Sequence, residues 1–156
     1  MVIVDTREKA VAIVRILAEF DRRGVKYVRK ALPFADYFNP GRPDVVIDRK
    51  QSLVEVAKNL TDNKDKKRFI REIERCNRAG YRMIVLVEHG NSVKRIEDVT
   101  TWHNPRLKVS PLAPNGERLY RLMKAFEHYY GIEWAFCNKQ STGRKIIELL
   151  GVEPDE

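Results

Sequence analysis

Two stretches of the chain are apolar at every position rather than at alternate ones: Val45-Val46-Ile47, inside residues 44–50, and Met83-Ile84-Val85-Leu86-Val87. A strand with water on one face alternates apolar and polar residues. A strand with no polar side must be covered on both faces, as in sheets sandwiched between helices. The segment between the two runs supplies such cover. Leu53, Val56, Ala57 and Leu60 recur at helical spacing, and so do Phe69, Ile70, Ile73 and Cys76, with a break near Asp62-Asn63 and a stop at Gly80. Strand, helices and strand in that order predict a crossover connection and parallel pairing.

The flanking segments extend the pattern. Val2-Ile3-Val4 reads as a short buried strand, and Ala10, Val11, Ile13, Val14, Leu17 and Ala18 predict a helix over residues 7–23 that stops at Gly24. Residues 25–31 and 34–38 read as short strands ahead of the turn Asn39-Pro40-Gly41-Arg42-Pro43. Residues 90–116, with Pro105, Pro111 and Pro114, carry no clear period. Leu119, Leu122, Met123, Phe126 and Tyr130 then predict a helix up to Gly131, residues 132–137 a strand, and Ser141 the N-cap of a last helix that ends at Gly151. The expectation is an α/β sandwich around a mixed sheet, as a single domain over residues 1–156.

The chain has 156 residues, with 30 Lys and Arg against 22 Asp and Glu, a formal charge of +8. That excess points to a polyanionic partner, nucleic acid first. A hydrophobic fraction of 43% excludes a wholly disordered chain. No apolar run approaches the ~20 residues that span a bilayer, so no membrane partner is expected. Met1 to Asp5 lacks the marks of a signal peptide, and two cysteines, Cys76 and Cys137, make no disulfide framework. The expected compartment is the reducing cytoplasm.

Ionisable clusters fall at the ends of the predicted strands: Asp5-Thr6-Arg7-Glu8, Ala35-Asp36-Tyr37, Asp48-Arg49-Lys50, and Glu88. Residues two apart in a strand share a face, so Asp48 and Lys50 project together and Arg49 points away. The turn at 39–43 lets Asp36 reach a neighbouring strand. Two carboxylates and a lysine are the minimal kit for metal-assisted phosphodiester hydrolysis. Hard oxygen ligands suit Mg²⁺, and a lysine can orient a water, deprotonate it, or neutralise charge on the phosphorane. Single Asp-x-Lys triplets are common in solvated turns. What favours chemistry here is the gathering of several charged clusters at the ends of buried strands.

Val4-Asp5-Thr6-Arg7-Glu8, Ala35-Asp36-Tyr37 and Ile47-Asp48-Arg49-Lys50 resemble, in order and spacing, the three signature blocks of the XPF-type nuclease domain, a family of the restriction-endonuclease-like PD-(D/E)xK superfamily. The resemblance runs through residues 1–90, with Lys67-Arg68-Phe69 and Val85-Leu86-Val87-Glu88 included. It implies a restriction-endonuclease-like three-layer sandwich, with a central mixed β-sheet flanked by helices. It also implies that Asp36 and Asp48 bind a catalytic Mg²⁺ or Mn²⁺, that Lys50 is the catalytic lysine, and that Asp5 and Glu8 complete the acidic pocket, Asp5 as a further metal ligand. Arg7 and Arg49 would contact phosphate or form internal ion pairs. The sequence departs from the blocks in three places. Ala35 stands where the turn has glycine, Asp48 stands where glutamate is usual, and the last acid of the third block falls on Val54, with Glu55 one residue later. No helix-hairpin-helix module is expected within these residues.

From Lys64 to Arg82, eight Lys and Arg face three acids, a net +5. Lys67, Arg71, Arg75 and Arg78 form one stripe, either a solvated helix face or a track for a DNA backbone. Trp102 is either a stacking residue or the anchor of the long loop. His89, His103 and His128 have no metal-ligand spacing. In the resembled family the C-terminal helix-strand-helix region often dimerises. Tyr129, Tyr130, Trp134 and Phe136 are the candidates for a homodimer contact, with an internal core as the alternative. The expected function is a metal-dependent DNA endonuclease of repair, recombination or replication, structure-selective for flaps, forks or junctions. Its small format fits a bacterial, archaeal or phage protein. The alternatives are a non-catalytic nucleic-acid-binding scaffold and an RNA nuclease.

Overall fold

The two apolar runs pair with each other inside a six-stranded sheet in the computed structural model, which describes residues 1–154. The strands are β1 (Val2–Val4), β2 (Tyr27–Arg29), β3 (Tyr37–Phe38), β4 (Val45–Lys50), β5 (Arg82–Glu88) and β6 (Glu133–Cys137), in the spatial order β2-β1-β3-β4-β5-β6. β4, β5 and β6 are mutually parallel, with Ile47 opposite Ile84 and Leu86 opposite Ala135. β3 is antiparallel to both of its neighbours, which makes the sheet mixed.

Helices cover both faces, as the uninterrupted apolar strands require. α1 (Val14–Arg22) and α5 (Thr142–Leu150) lie on one side, where Ile16, Phe20, Ile146 and Leu150 pack with Val45, Ile47, Ile84 and Leu86. α2 (Leu53–Thr61), α3 (Asn63–Arg78) and α4 (Gly116–Tyr130) lie on the other, where Leu53, Ile73 and Met123 pack with Val46, Met83, Val85 and Val87. The three layers match the expected class. The break between α2 and α3 falls at Asp62, whose Oδ1 accepts the Asp65 N–H at 3.0 Å and so caps the second helix. Gly131 and Gly151 close α4 and α5 with φ of 69° and 60°.

Three local expectations are corrected. The helix predicted over 7–23 begins only at Val14, after a 3₁₀ turn at Ala10–Ala12. The residues before it carry Glu8 inward, and the buried stripe is Ile13, Ile16 and Phe20, while Val11 is 85% exposed. Ser141 precedes α5 without a capping hydrogen bond from its side chain; its hydroxyl turns to Asn138 instead. Trp134 and Phe136 point into the core, with the Trp134 indole N–H on the Met123 carbonyl at 2.9 Å, so neither offers a docking face. Tyr130 packs on Phe126, and only Tyr129 of the four stands out, at 77% exposure.

Residues 90–116 wind through 3₁₀ turns at Ile96–Thr101 and Pro105–Lys108. Buried Asn104 ties the stretch together by donating to the Pro114 carbonyl at 2.9 Å, and Trp102 packs against the core. Among the described residues no helix is long and apolar enough to cross a membrane.

Gly116 is where this loop meets α4. A Cβ there would lie 2.5 Å from the carbonyl oxygens of both Trp102 and Val99, which are backbone atoms and cannot swing aside. Gly116→Ala is therefore expected to cost roughly 1–3 kcal/mol of stability, read as a lower urea midpoint with an unchanged slope.

Candidate active site

β4 ends in Asp48-Arg49-Lys50, and strand alternation divides the three between the two faces of the sheet. Arg49 projects toward α1 and α5, with a side chain only 4% exposed. Its Nε donates to Glu8 Oε1 at 2.6 Å, its Nη2 to Glu8 Oε2 at 2.8 Å, and its Nη1 to Glu88 Oε1. The Tyr37 hydroxyl donates to Glu8 Oε1 at 2.9 Å, and the Thr142 hydroxyl to Glu88 Oε2 at 2.7 Å. Burial works against the Arg49 charge, but the two carboxylates override it and hold the guanidinium above its ordinary pKa. Burial and Glu8 likewise push the Tyr37 phenol up.

Of the two uses expected of Arg49, the network shows the internal ion pair, with each guanidinium nitrogen donating to Glu8 or Glu88. Glu8, expected to complete the acidic pocket, has both oxygens engaged by Arg49 and Tyr37.

On the opposite face, Asp48 and Lys50 point toward α3, and Asp36 joins them from the start of β3. Asp36 is anchored by its backbone N–H on the Ile47 carbonyl and by its Oδ2, which accepts the Arg49 backbone N–H, both at 2.8 Å. Burial first, then the neighbouring Asp48 and Glu8 carboxylates, drive the Asp36 carboxyl well above its usual range. Lys50 Nζ lies 3.0 Å from Asp48 Oδ2 and 4.6 Å from the centre of the Phe69 ring. Burial tends to lower the Lys50 pKa, but Asp48, with Glu55 and Glu72, outweighs it, so the ammonium keeps its proton.

The angle at that ammonium leaves Asp48 Oδ2 without a directed hydrogen bond, an orphaned oxygen in a buried place. Two adjacent carboxylates, one with an oxygen held only by the Lys50 ion pair, form a hard, oxygen-only donor set that fits Mg²⁺ or Mn²⁺. Mg²⁺ commonly keeps several waters and takes one or two protein carboxylates. Among the described residues no three Asp, Glu, His or Cys side chains converge as a metal cluster.

Asp5 lies outside the pair. Its Oδ1 accepts the Leu32 N–H at 2.8 Å and its Oδ2 accepts the Arg7 Nε at 2.5 Å, so it ties down the loop that leads to Asp36 instead of facing Asp48. Arg7 is bound up in the same loop, donating to the carbonyls of Leu32 and Ala35 at 3.2 and 3.4 Å. Ala35 keeps a φ of 62°, the left-handed conformation that glycine adopts freely, so the turn survives the replacement. Glu55 accepts the Gln51 N–H at 2.7 Å while Ser52 caps its own N–H, which gives it a place in the helix start.

The residue the motifs did not point to is Glu72. It is half-buried on α3, its Oε2 accepts the Ala35 N–H at 3.0 Å, and burial with the Asp48 charge raises its pKa. Its spacing was a signal: three residues after Phe69 and four before Cys76, it borders the apolar stripe, whereas Glu74, the other acid of α3 outside the first turn, faces water. On the outer side of that helix Lys67, Arg71, Arg75 and Arg78 are all exposed, and none is in an ion pair among the described residues.

The ERCC4 domain family model matches residues 4–141. Among solved structures, the chain is similar to XPF from Aeropyrum pernix with a TM-score of 0.66 at 24% identity, covering 99% of this chain and 67% of that one. It is also similar to XPF from Aeropyrum pernix in complex with DNA, with a TM-score of 0.65 at 26% identity, covering 96% of this chain and 62% of that one. No curated protein is significantly similar in sequence. The shared arrangement of sheet and helices is the restriction-endonuclease-like fold.

The raised Asp36 carboxyl has a consequence for folding. In the unfolded chain it titrates near the ordinary value, while in the metal-free folded protein it holds its proton to higher pH. Stability therefore falls as pH rises from the unfolded to the folded pKa. Asp36→Asn removes that penalty, keeps an acceptor for the Arg49 N–H and can donate to Asp48. The variant is expected to be more stable than the parent at neutral pH without metal, with the advantage vanishing on acidification, as read from chemical denaturation across pH.

Proposed function

The chain belongs to the ERCC4 domain family, and from that premise we propose that it is a divalent-metal-dependent DNA endonuclease that hydrolyses phosphodiester bonds. The observation that carries this reading is the half-buried Asp36 set beside the buried Asp48, with Lys50 in contact, gathered on one face at the end of β4. A scaffold that only bound nucleic acid would gain nothing from crowding two carboxylates out of water. DNA is favoured over RNA by the DNA complex of the structural relative.

Asp36 and Asp48 are the residues that would hold Mg²⁺ or Mn²⁺; the ion, when bound, polarises the phosphate and makes hydroxide available near neutral pH. Lys50, held beside Asp48 and seated over Phe69, is placed to orient the attacking water, take its proton or offset the negative charge that builds on the phosphorane. Arg49, pinned to Glu8 and Glu88, keeps β4 from rotating, and its backbone N–H orients Asp36. The exposed cations of α3 grip the phosphate backbone beside the acids without reading sequence. Flaps, forks or junctions in repair, recombination or replication, in a bacterial, archaeal or phage setting, are the proposed substrates and context.

The test is cleavage of single-stranded, duplex, flap and junction DNA with Mg²⁺ or Mn²⁺. The parent is expected to cut. Asp48→Asn and Lys50→Ala should each lower the rate by about 10²-fold or more. Undiminished cutting by Lys50→Ala would sink the mechanism. In the absence of cutting, Arg71→Ala and Arg75→Ala report on docking alone: each is expected to weaken DNA binding and reduce the slope of log affinity against log salt by about one.

A further inference from the structure

Ala35 is the one non-glycine residue with positive φ among the described residues, and it is fully buried. An L-residue reaches φ of 62° against a steric penalty and stays there only where its surroundings dictate it. Both of its peptide groups are held. The Ala35 carbonyl accepts from Arg7, and the Ala35 N–H donates to Glu72 Oε2 at 3.0 Å. Directly after it, the Asp36 carbonyl accepts the Asp5 N–H at 2.8 Å, which continues the β1 edge. Of these contacts, only that from Glu72 comes from a helix. It reaches across from α3, the helix whose outer side carries Arg71 and Arg75.

Resting on the endonuclease reading above, we propose that Glu72 is a positioning residue: through the Ala35 N–H it clamps the left-handed elbow that aims Asp36 at Asp48. The carboxylate is placed for that task. Burial and the Asp48 charge hold its pKa above the ordinary value, and the Ala35 N–H, Lys50 and Arg7 oppose them. The helix that meets the phosphate backbone is thereby tied by one hydrogen bond to the turn that carries a metal ligand. Glycine at position 35 would relax into the elbow unaided. Alanine needs the clamp, so the departure from the glycine turn and the presence of an acid on α3 belong to one arrangement.

The experiment uses four variants of the full chain: Glu72→Gln, Glu72→Ala, Ala35→Gly, and Glu72→Ala with Ala35→Gly. Three readouts are taken: amide hydrogen exchange at Ala35, Mn²⁺ affinity from electron paramagnetic resonance, and cleavage. Glu72→Ala is expected to speed Ala35 exchange and weaken Mn²⁺ binding on the order of tenfold, the usual effect of removing a ligand's supporting partner. Glu72→Gln retains an oxygen for the Ala35 N–H and should stay within about twofold of the parent. Adding Ala35→Gly to Glu72→Ala should restore most of the lost affinity, which a merely structural loss would not do. Two results overturn the clamp: unchanged Ala35 exchange in Glu72→Ala, or Glu72→Gln as damaging as Glu72→Ala with no recovery by Ala35→Gly. If the parent neither binds Mn²⁺ nor cuts DNA, the endonuclease reading fails by itself, and Ala35 exchange still decides whether the clamp exists.

Discussion

One guanidinium organises the functional end of this sheet. Arg49 sits where β3, β4, β5, α5 and the segment after β1 come together, and through Glu8, Glu88, Tyr37 and Thr142 it is hydrogen-bonded, directly or at one remove, to all of them. Such a group is a poor source of net stability, since taking three charges out of water costs nearly as much as their attraction returns. Loss of one partner, however, strands the others, at about 3–5 kcal/mol. What it secures is orientation. Side chains of a strand alternate, so a residue 49 that must face Glu8 and Glu88 obliges Asp48 and Lys50 to face α3.

The sheet thereby separates two uses of buried charge. Each face sets two carboxylates against one cation, and the difference lies in the donors. Behind it Arg49, Tyr37 and Thr142 bring a hydrogen bond to every Glu8 and Glu88 oxygen. In front, Asp36 is pushed toward its protonated form, and one Asp48 oxygen has no directed donor. Low dielectric magnifies both conditions, making the hydrogen-bonded cluster rigid and the other receptive to a cation. The net charge of +8 is distributed in the same spirit, with exposed cations along α3 lying beside a recessed acidic pair.

Much of this was legible in the residue order. The continuous apolar runs of β4 and β5 demanded cover on both faces, and two helices on one side with a parallel crossover followed. The Asp-Arg-Lys triplet at the end of β4 and the acid of the preceding turn marked the place where charge gathers. The misreadings share a cause. Val11 and Val14 fit a helical stripe, yet the chain turns first to deliver Glu8 to Arg49, and a partner 41 positions away exerts no local signal. Glu72 was counted as one acid in a basic run because its partner, the Ala35 N–H, is 37 positions distant.

The sequence by itself determined the layers, the parallel half of the sheet, and the set of charged residues at its functional end, because periodicity and strand alternation are local properties that a single chain displays along its length. Only the tertiary structure decided which of those charges neutralise one another and which stay in demand. Asp5 and Glu8 are carboxylates at a strand end as much as Asp36 and Asp48 are. The first two are satisfied by donors brought from residues 7, 32, 37 and 49; of the second two, Asp36 accepts the Arg49 N–H, and Asp48 Oδ2 has no directed donor. Hydrogen-bond saturation depends on where distant donors arrive in space, and that is a property of the packed sheet, not of the order of residues.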